Sequence, residues 1–429
     1  MIIGIQDEIL HIHALGLLDR LLADKTTKGA ILWATDAYQK EGKGYGRNEA
    51  ITSGRITGEH SGIIKNRARK ALEQQSRRTK KHAEVFTPVW VCKKMNDVAD
   101  QAWFGRPGAF DPGSGTIHFE GGRTWQAYVD ARRLEITCGE APYLVGRYDV
   151  ETGEHIPIKD RAGILDRKLR VVNANTTTEA DWQYWTLRAF QATYGYEVQG
   201  DNLLIARVNL YMTFEEGCAA RWGHPPDNTL GKKIATIIAW NLWQMDGMTG
   251  RTPFAATSGN QQVDMFSAFG LAAPAAPQNT PAECKVFNWR QGHSQIFAAT
   301  RKGKGKMKFD FVIGNPPYQD ETLGENDTYA PPVYHKFMDE TYRIADKVVL
   351  IHPARFLFNA GSTPKDWNKK MLNDPHFKVL WYEQDSSAVF ENTDIKGGVA
   401  ITCHATNENY GAIGVFTPYP ELNSILKKV

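Results

Sequence analysis

Cysteine is sparse and scattered in this sequence: Cys92, Cys138, Cys218, Cys284 and Cys403 are odd in number and form no CxxC pair. That excludes a disulfide framework or a cysteine-rich metal cluster and points to a reducing cytoplasm. His11 and His13 have no third ligand nearby, so they read as helix histidines and no metal site is expected. No apolar run approaches the roughly 20 residues a membrane span needs. The opening MIIGIQDEIL breaks its apolar start at Asp7 and Glu8, so no secretory leader and no membrane partner are expected. Charge of one sign is lacking too. The formal charge is only +3, so contact with a polyanion would have to come from local clusters. No internal repeat is visible.

Two such clusters exist, one over residues 65–81 and one over 301–308, where Lys alternates with Gly. Each reads equally as a solvated face or as a phosphate contact. A length of 429 residues suits about three domains, or one α/β catalytic domain with insertions. Residues 1–83 form a helical, basic N-terminal region whose first amphipathic helix is spaced by Ile9, Ile12, Leu15 and Leu18. From residue 84 the pattern alternates. Strand-like segments at 309–314, 347–351, 377–382 and 398–402 and a helix through Val333, Phe337, Met338 and Tyr342 predict a doubly wound, mostly parallel α/β sheet. Residues 252–281, rich in Ala, Pro, Gln and Thr, read as a surface excursion between two strands.

The densest chemistry lies at FDFVIGNPPYQD, residues 309–320. An apolar strand ends at Gly314, and Asn315, Pro316, Pro317 and Tyr318 follow. The Asn315 carbonyl can accept a hydrogen bond from an exocyclic amine. The prolines have fixed φ and no N–H, so a stiffly aimed Pro316 carbonyl can accept the second. Tyr318 offers a flat face for a base. Together they would hold an amine for attack on a methyl donor, which makes S-adenosylmethionine the expected cofactor.

Such a cofactor needs a small-residue turn after the first strand, an acid at the tip of the second and a polar residue at the tip of the third. FDPGSGT (110–116) and LEITCGEAP (134–142) compete for the first role. The second is preferred, with Glu135, Thr137, Cys138, Gly139 and Ala141 against the cofactor and a helix starting at Tyr143-Leu144-Val145. Glu197 in YGYE is the expected ribose ligand. ATIIAWNLWQMDG reads as a buried strand that places Asp246 near the adenine, with Asn241 as a rival. Thr87 and Pro88 of EVFTP would face the methionine carboxylate.

EVFTP, EITCGEAP, YGYE, QMDG and GNPPY occur in this order, and the chain over 84–429 resembles the adenine-specific DNA methyltransferases of restriction–modification systems, of the type often called subunit M. The resemblance implies a seven-stranded Rossmann-like methyltransferase sheet. It further implies methylation of adenine N6 in duplex DNA on a flipped-out base, and a cognate restriction endonuclease as partner. It assigns Phe390 as a second aromatic against the base, where a core Phe is an equal reading. The long interval from Glu135 to Glu197 implies an insertion near 147–185. A C-terminal target-recognition domain is expected to be absent. Methylation of cytosine N4 or of protein glutamine, and a DNA-binding subunit that needs a partner for activity, stay open as alternatives.

Overall fold

The computed structural model describes residues 4–70, 87–111, 113–114, 117–254, 281–301, 307–320, 330–390 and 393–419. Nine strands form two sheets among these residues: β1 (Arg133–Ile136), β2 (Thr193–Glu197), β3 (Leu242–Gln244), β4 (Lys285–Asn288), β5 (His293–Ile296), β6 (Phe309–Gly314), β7 (Ala345–Pro353), β8 (Phe377–Glu383) and β9 (Val399–Ala405). The main sheet has the order β3-β2-β1-β6-β7-β9-β8, and β4 and β5 pair as a separate hairpin. β1 runs parallel to β2 and β6, and β6 to β7, while β9 is antiparallel to both of its neighbours. This is the mostly parallel, seven-stranded Rossmann-like methyltransferase sheet that was expected.

Helices cover both faces, which is why β1 is buried at every position and β6 at all but Asp310. The helix Gly200–Trp222 follows β2 and ends at Gly223, whose φ of 78° closes its last turn. The helix Asn228–Asn241 starts where the Asp227 side chain accepts from the Thr229 and Leu230 N–H groups. That helix corrects the expectation of a strand through ATIIAWN, for only Leu242–Gln244 is extended. Its Leu230, Ile234, Ile237 and Ile238 are buried while Thr229, Lys232 and Lys233 are exposed and Thr236 and Trp240 half-buried, so the apolar run is the core face of an amphipathic helix.

The helix expected at Tyr143-Leu144-Val145 is also corrected. These residues form turns, and the next long helix begins at Ile164. A Cβ at Gly163 would collide with the Leu144 carbonyl, so the chain doubles back against residues 144–145 before it becomes helical. Residues 147–185 contain this helix, Ile164–Asn175, and the first half of the helix Glu179–Gln191.

The N-terminal residues pack on the same core. Ile5, Ile9, Ile12, Leu18, Leu21 and Trp33 share one hydrophobic cluster with Leu203, Val208 and Leu210. Full burial of an aliphatic side chain contributes roughly 1.5–3 kcal/mol. The first helix spans Ile5–Ala14, and a second starts at Leu18 after Gly16 turns at φ 67°. Of the basic stretch 65–81, residues 71–81 lie outside the described residues, as do 302–306 of the second cluster. So does 255–280 of the excursion, whose ends meet where the Thr252 N–H donates to the Ala282 carbonyl at 2.9 Å.

Candidate active site at the carboxyl end of the sheet

Strand order reverses between β1 and β6, so a crevice for ligands opens where the ends of these two strands diverge. Both ends carry expected residues. A Cβ on Gly314 would lie 2.5 Å from Ile136 Cγ1 and 2.9 Å from its carbonyl oxygen, so only glycine lets β6 end this close to β1. Beyond them, the Thr137 hydroxyl donates to the Ile136 carbonyl at 2.8 Å and to the Asn315 carbonyl at 3.2 Å. The turn after β1 and the Asn-Pro-Pro-Tyr loop are thereby joined.

The turn after β1 is strained. Thr137, Gly139 and Ala141 adopt φ of 45°, 53° and 65°. Two of these are not glycine, and each left-handed non-glycine residue costs about 1–2 kcal/mol. Compensation comes from β2. The Gly139 N–H donates to Glu197 Oε2 at 2.9 Å, the Cys138 N–H to the Tyr196 carbonyl at 2.9 Å, and the Gln199 N–H to Glu197 Oε1 at 3.0 Å. Glu197 therefore ties the turns after β1 and β2 together at the tip where a ribose ligand was expected.

Glu135 works from behind. It is buried, and its Oε2 accepts from the Leu144 N–H at 3.1 Å. Burial pushes its carboxyl well above the usual range, opposed by the Tyr143 and Leu144 N–H groups. Its side chain thus supports the segment downstream of the turn. Burial likewise pushes the Cys138 thiol up, so it is a small, un-ionised turn residue.

On the other side, the Asn315 Nδ2 donates to the buried Thr87 hydroxyl at 3.2 Å, and Pro88 caps the helix Val89–Phe104. Residues 84–86 of EVFTP lie outside the described residues. Tyr318 is buried, and burial raises its hydroxyl against the pull of Asn315. Its ring centroid lies 6.3 Å from that of Phe390 at 66°, so the two aromatics assigned to the base meet edge to face within one buried cluster.

The third strand differs from expectation. The Asp246 carboxylate accepts from the Met248 N–H at 2.8 Å and the Thr249 hydroxyl at 2.9 Å, closing its own turn. Its rival Asn241 precedes β3 at the amino end of the sheet, where it donates to the Phe190 and Thr193 carbonyls. FDPGSGT does not follow β1, and its Asp111 pairs with Lys93 at 2.6 Å. His11 pairs with Glu215, and no metal-binding cluster occurs among the described residues. The sequence reading missed Val198. It is 36% exposed directly after Glu197, and its backbone carbonyl accepts from Gln244 Nε2 at 2.8 Å.

Residues 191–390 match the family model of the Eco57I restriction-modification methylase, so the expected resemblance is shown for the segment from β2 to Phe390. Over 97 residues the chain is 30% identical to an uncharacterized adenine-specific methylase of Mycoplasma pneumoniae, covering 22% of this chain and 23% of that relative. The chain thus spans less than a quarter of that relative's length. Two solved structures resemble it at TM-scores below 0.5. The ATP-dependent Type ISP restriction-modification enzyme LlaBIII bound to DNA gives 0.38 at 15% identity, over 76% of this chain and 19% of that one. A nuclease-deletion mutant of the Type ISP enzyme LlaGI with a DNA substrate mimic gives 0.42 at 14%, over 86% and 27%.

Proposed function

We propose that this chain is a site-specific DNA methyltransferase that modifies adenine N6 on a base flipped out of the duplex, as the modification component of a restriction–modification system. One observation carries the reading. Asn315 stands at the switch point of a methyltransferase sheet, its side chain bonded to Thr87 and its backbone carbonyl to the turn after β1. This contact supports reading the Asn-Pro-Pro-Tyr loop as the amine holder and the neighbouring turn as the cofactor's.

The residues fit S-adenosylmethionine: a strained small-residue turn at β1 leaves room for the backbone to approach it, and a carboxylate at the β2 tip suits a ribose diol. When bound, this cofactor supplies an electrophilic methyl group. Glu197 holds its ribose, Thr137, Cys138, Gly139 and Ala141 line the turn, and Thr87 and Pro88 flank its methionine end. Asp246 shapes the loop near the adenine. Asn315 and the Pro316 carbonyl orient the target amine, with Pro317 stiffening the loop. Tyr318 and Phe390 receive the base, and stacking returns roughly 1–3 kcal/mol of the cost of flipping. Positioning supplies most of the acceleration, and no general base is assigned. Double-stranded DNA is the partner, and a restriction endonuclease acts on the same sites.

The test is transfer of label from radiolabelled S-adenosylmethionine to unmethylated genomic DNA, with nucleoside analysis, in wild type and Asn315→Ala. Label in N6-methyladenine that disappears in the variant supports the reading. Label in N4-methylcytosine, or in protein, would replace the substrate. Cofactor binding without transfer would mean that a partner is needed.

A further inference from the structure

The family match begins at residue 191, yet a segment far upstream packs on the tips of β2 and β3. Residues 31–34 cross the carboxyl ends of β2 and β3. Gln244, the last residue of β3, is buried and bonded at every polar position. Its Oε1 accepts from the Leu32 N–H at 2.8 Å, and its Nε2 donates to the Leu32 and Val198 carbonyls, both at 2.8 Å. One amide therefore joins the upstream segment to Val198, beside Glu197.

Other contacts hold the same place. The Gly200 N–H donates to the Trp33 carbonyl at 3.0 Å, and a Cβ on Gly200 would overlap the Leu32 carbonyl. The Tyr38 hydroxyl donates to Asp201 at 2.8 Å, and Lys70 pairs with Asp201 at 3.3 Å. Ala34 is held at φ 51°, a further left-handed non-glycine residue besides Thr137 and Ala141. The Arg47 guanidinium sits 4.9 Å over the Phe254 ring, which joins the segment to the loop after β3.

We infer that residues 31–35 form a fixed wall of the adenosine site and that Gln244 is the positioning residue that seats this wall against Val198 and Glu197. The inference rests on the cofactor reading above. It makes the N-terminal region part of the cofactor site, so the methyl-donor affinity depends on a contact some 200 residues apart in sequence.

Amide hydrogen exchange of the wild-type chain, with and without S-adenosylmethionine, tests this directly. Peptides covering 28–38, 137–145 and 197–203 should all slow by about fivefold or more on binding. Slowing at 137–145 and 197–203 but not at 28–38 would overturn the inference and leave the cofactor reading intact. No slowing anywhere would remove both. In Gln244→Met the cofactor dissociation constant should rise about tenfold while kcat at saturating cofactor stays within about twofold. A folded Gln244→Met with unchanged cofactor affinity also overturns it. If that variant does not fold, the exchange result on wild type decides.

Discussion

The two ends of the main sheet use polar residues in opposite ways. At the amino end they serve the fold. The buried Lys168 Nζ donates to the Ala131 and Ala192 carbonyls at 2.7 and 2.9 Å. Asp100 accepts from Arg133, Arg167 and Tyr128 within 3.0 Å, all of them buried. At the carboxyl end the bonds run between loops, Thr137 to Asn315, Asn315 to Thr87 and Gly139 to Glu197, and they hold backbone in left-handed conformations. A sheet that stores strain at one end and neutralises charge at the other separates stability from chemistry.

Substitutions should divide along that line. Asn315→Ala should lower methyl transfer by about a thousandfold, the scale of losing a preorganised contact, while its melting curve stays near wild type. Asp100→Ala should do the reverse. It leaves Arg133 and Arg167 buried without their carboxylate, at a cost of about 3–5 kcal/mol in denaturant titration. Glu197→Ala should weaken cofactor binding roughly a hundredfold by calorimetry, since the proposed ribose contact and the tie to Gly139 are lost together.

The pH dependence of stability should show opposite slopes from the two halves of the sheet. Burial holds the Glu135 carboxyl well above 4.5, so its contribution is complete below that pH and is lost as pH rises through the folded value. Burial lowers His352 on β7 from 6.5 to about 4, so its contribution is present above 6.5 and is lost as pH falls through about 4. The His352 displacement corresponds to roughly 3 kcal/mol at most. Thermal melts across pH should lose the acid-side slope in His352→Gln and the opposing slope in Glu135→Gln. Phe390→Ala should have the smallest effect, about a tenfold loss in kcat/KM for DNA with cofactor affinity unchanged.

Legibility followed the same division. Asn315 to Tyr318 could be read directly because an apolar strand and a fixed-φ tetrapeptide are both local signals. The turn at 137–141 was legible from small residues, and Glu197 from its place after YGY. The helix after β1 was set too early because its start depends on Gly163 packing against Leu144, a contact that no local pattern encodes. The run ATIIAWN was misread because, taken without Thr229, Lys232 and Lys233 before it, its seven residues show a short apolar stretch that fits a buried strand as well as a helix. Gln244 was invisible for a further reason: its partner Leu32 lies 212 residues away.

The most direct measurement is calorimetric titration of the purified chain with S-adenosylmethionine in the absence of DNA, for wild type and Glu197→Ala. The account predicts one site in wild type, weakened roughly a hundredfold in the variant, because the turn after β1 is already held in shape by Glu197. No binding by folded wild type, or equal binding by both proteins, would contradict it.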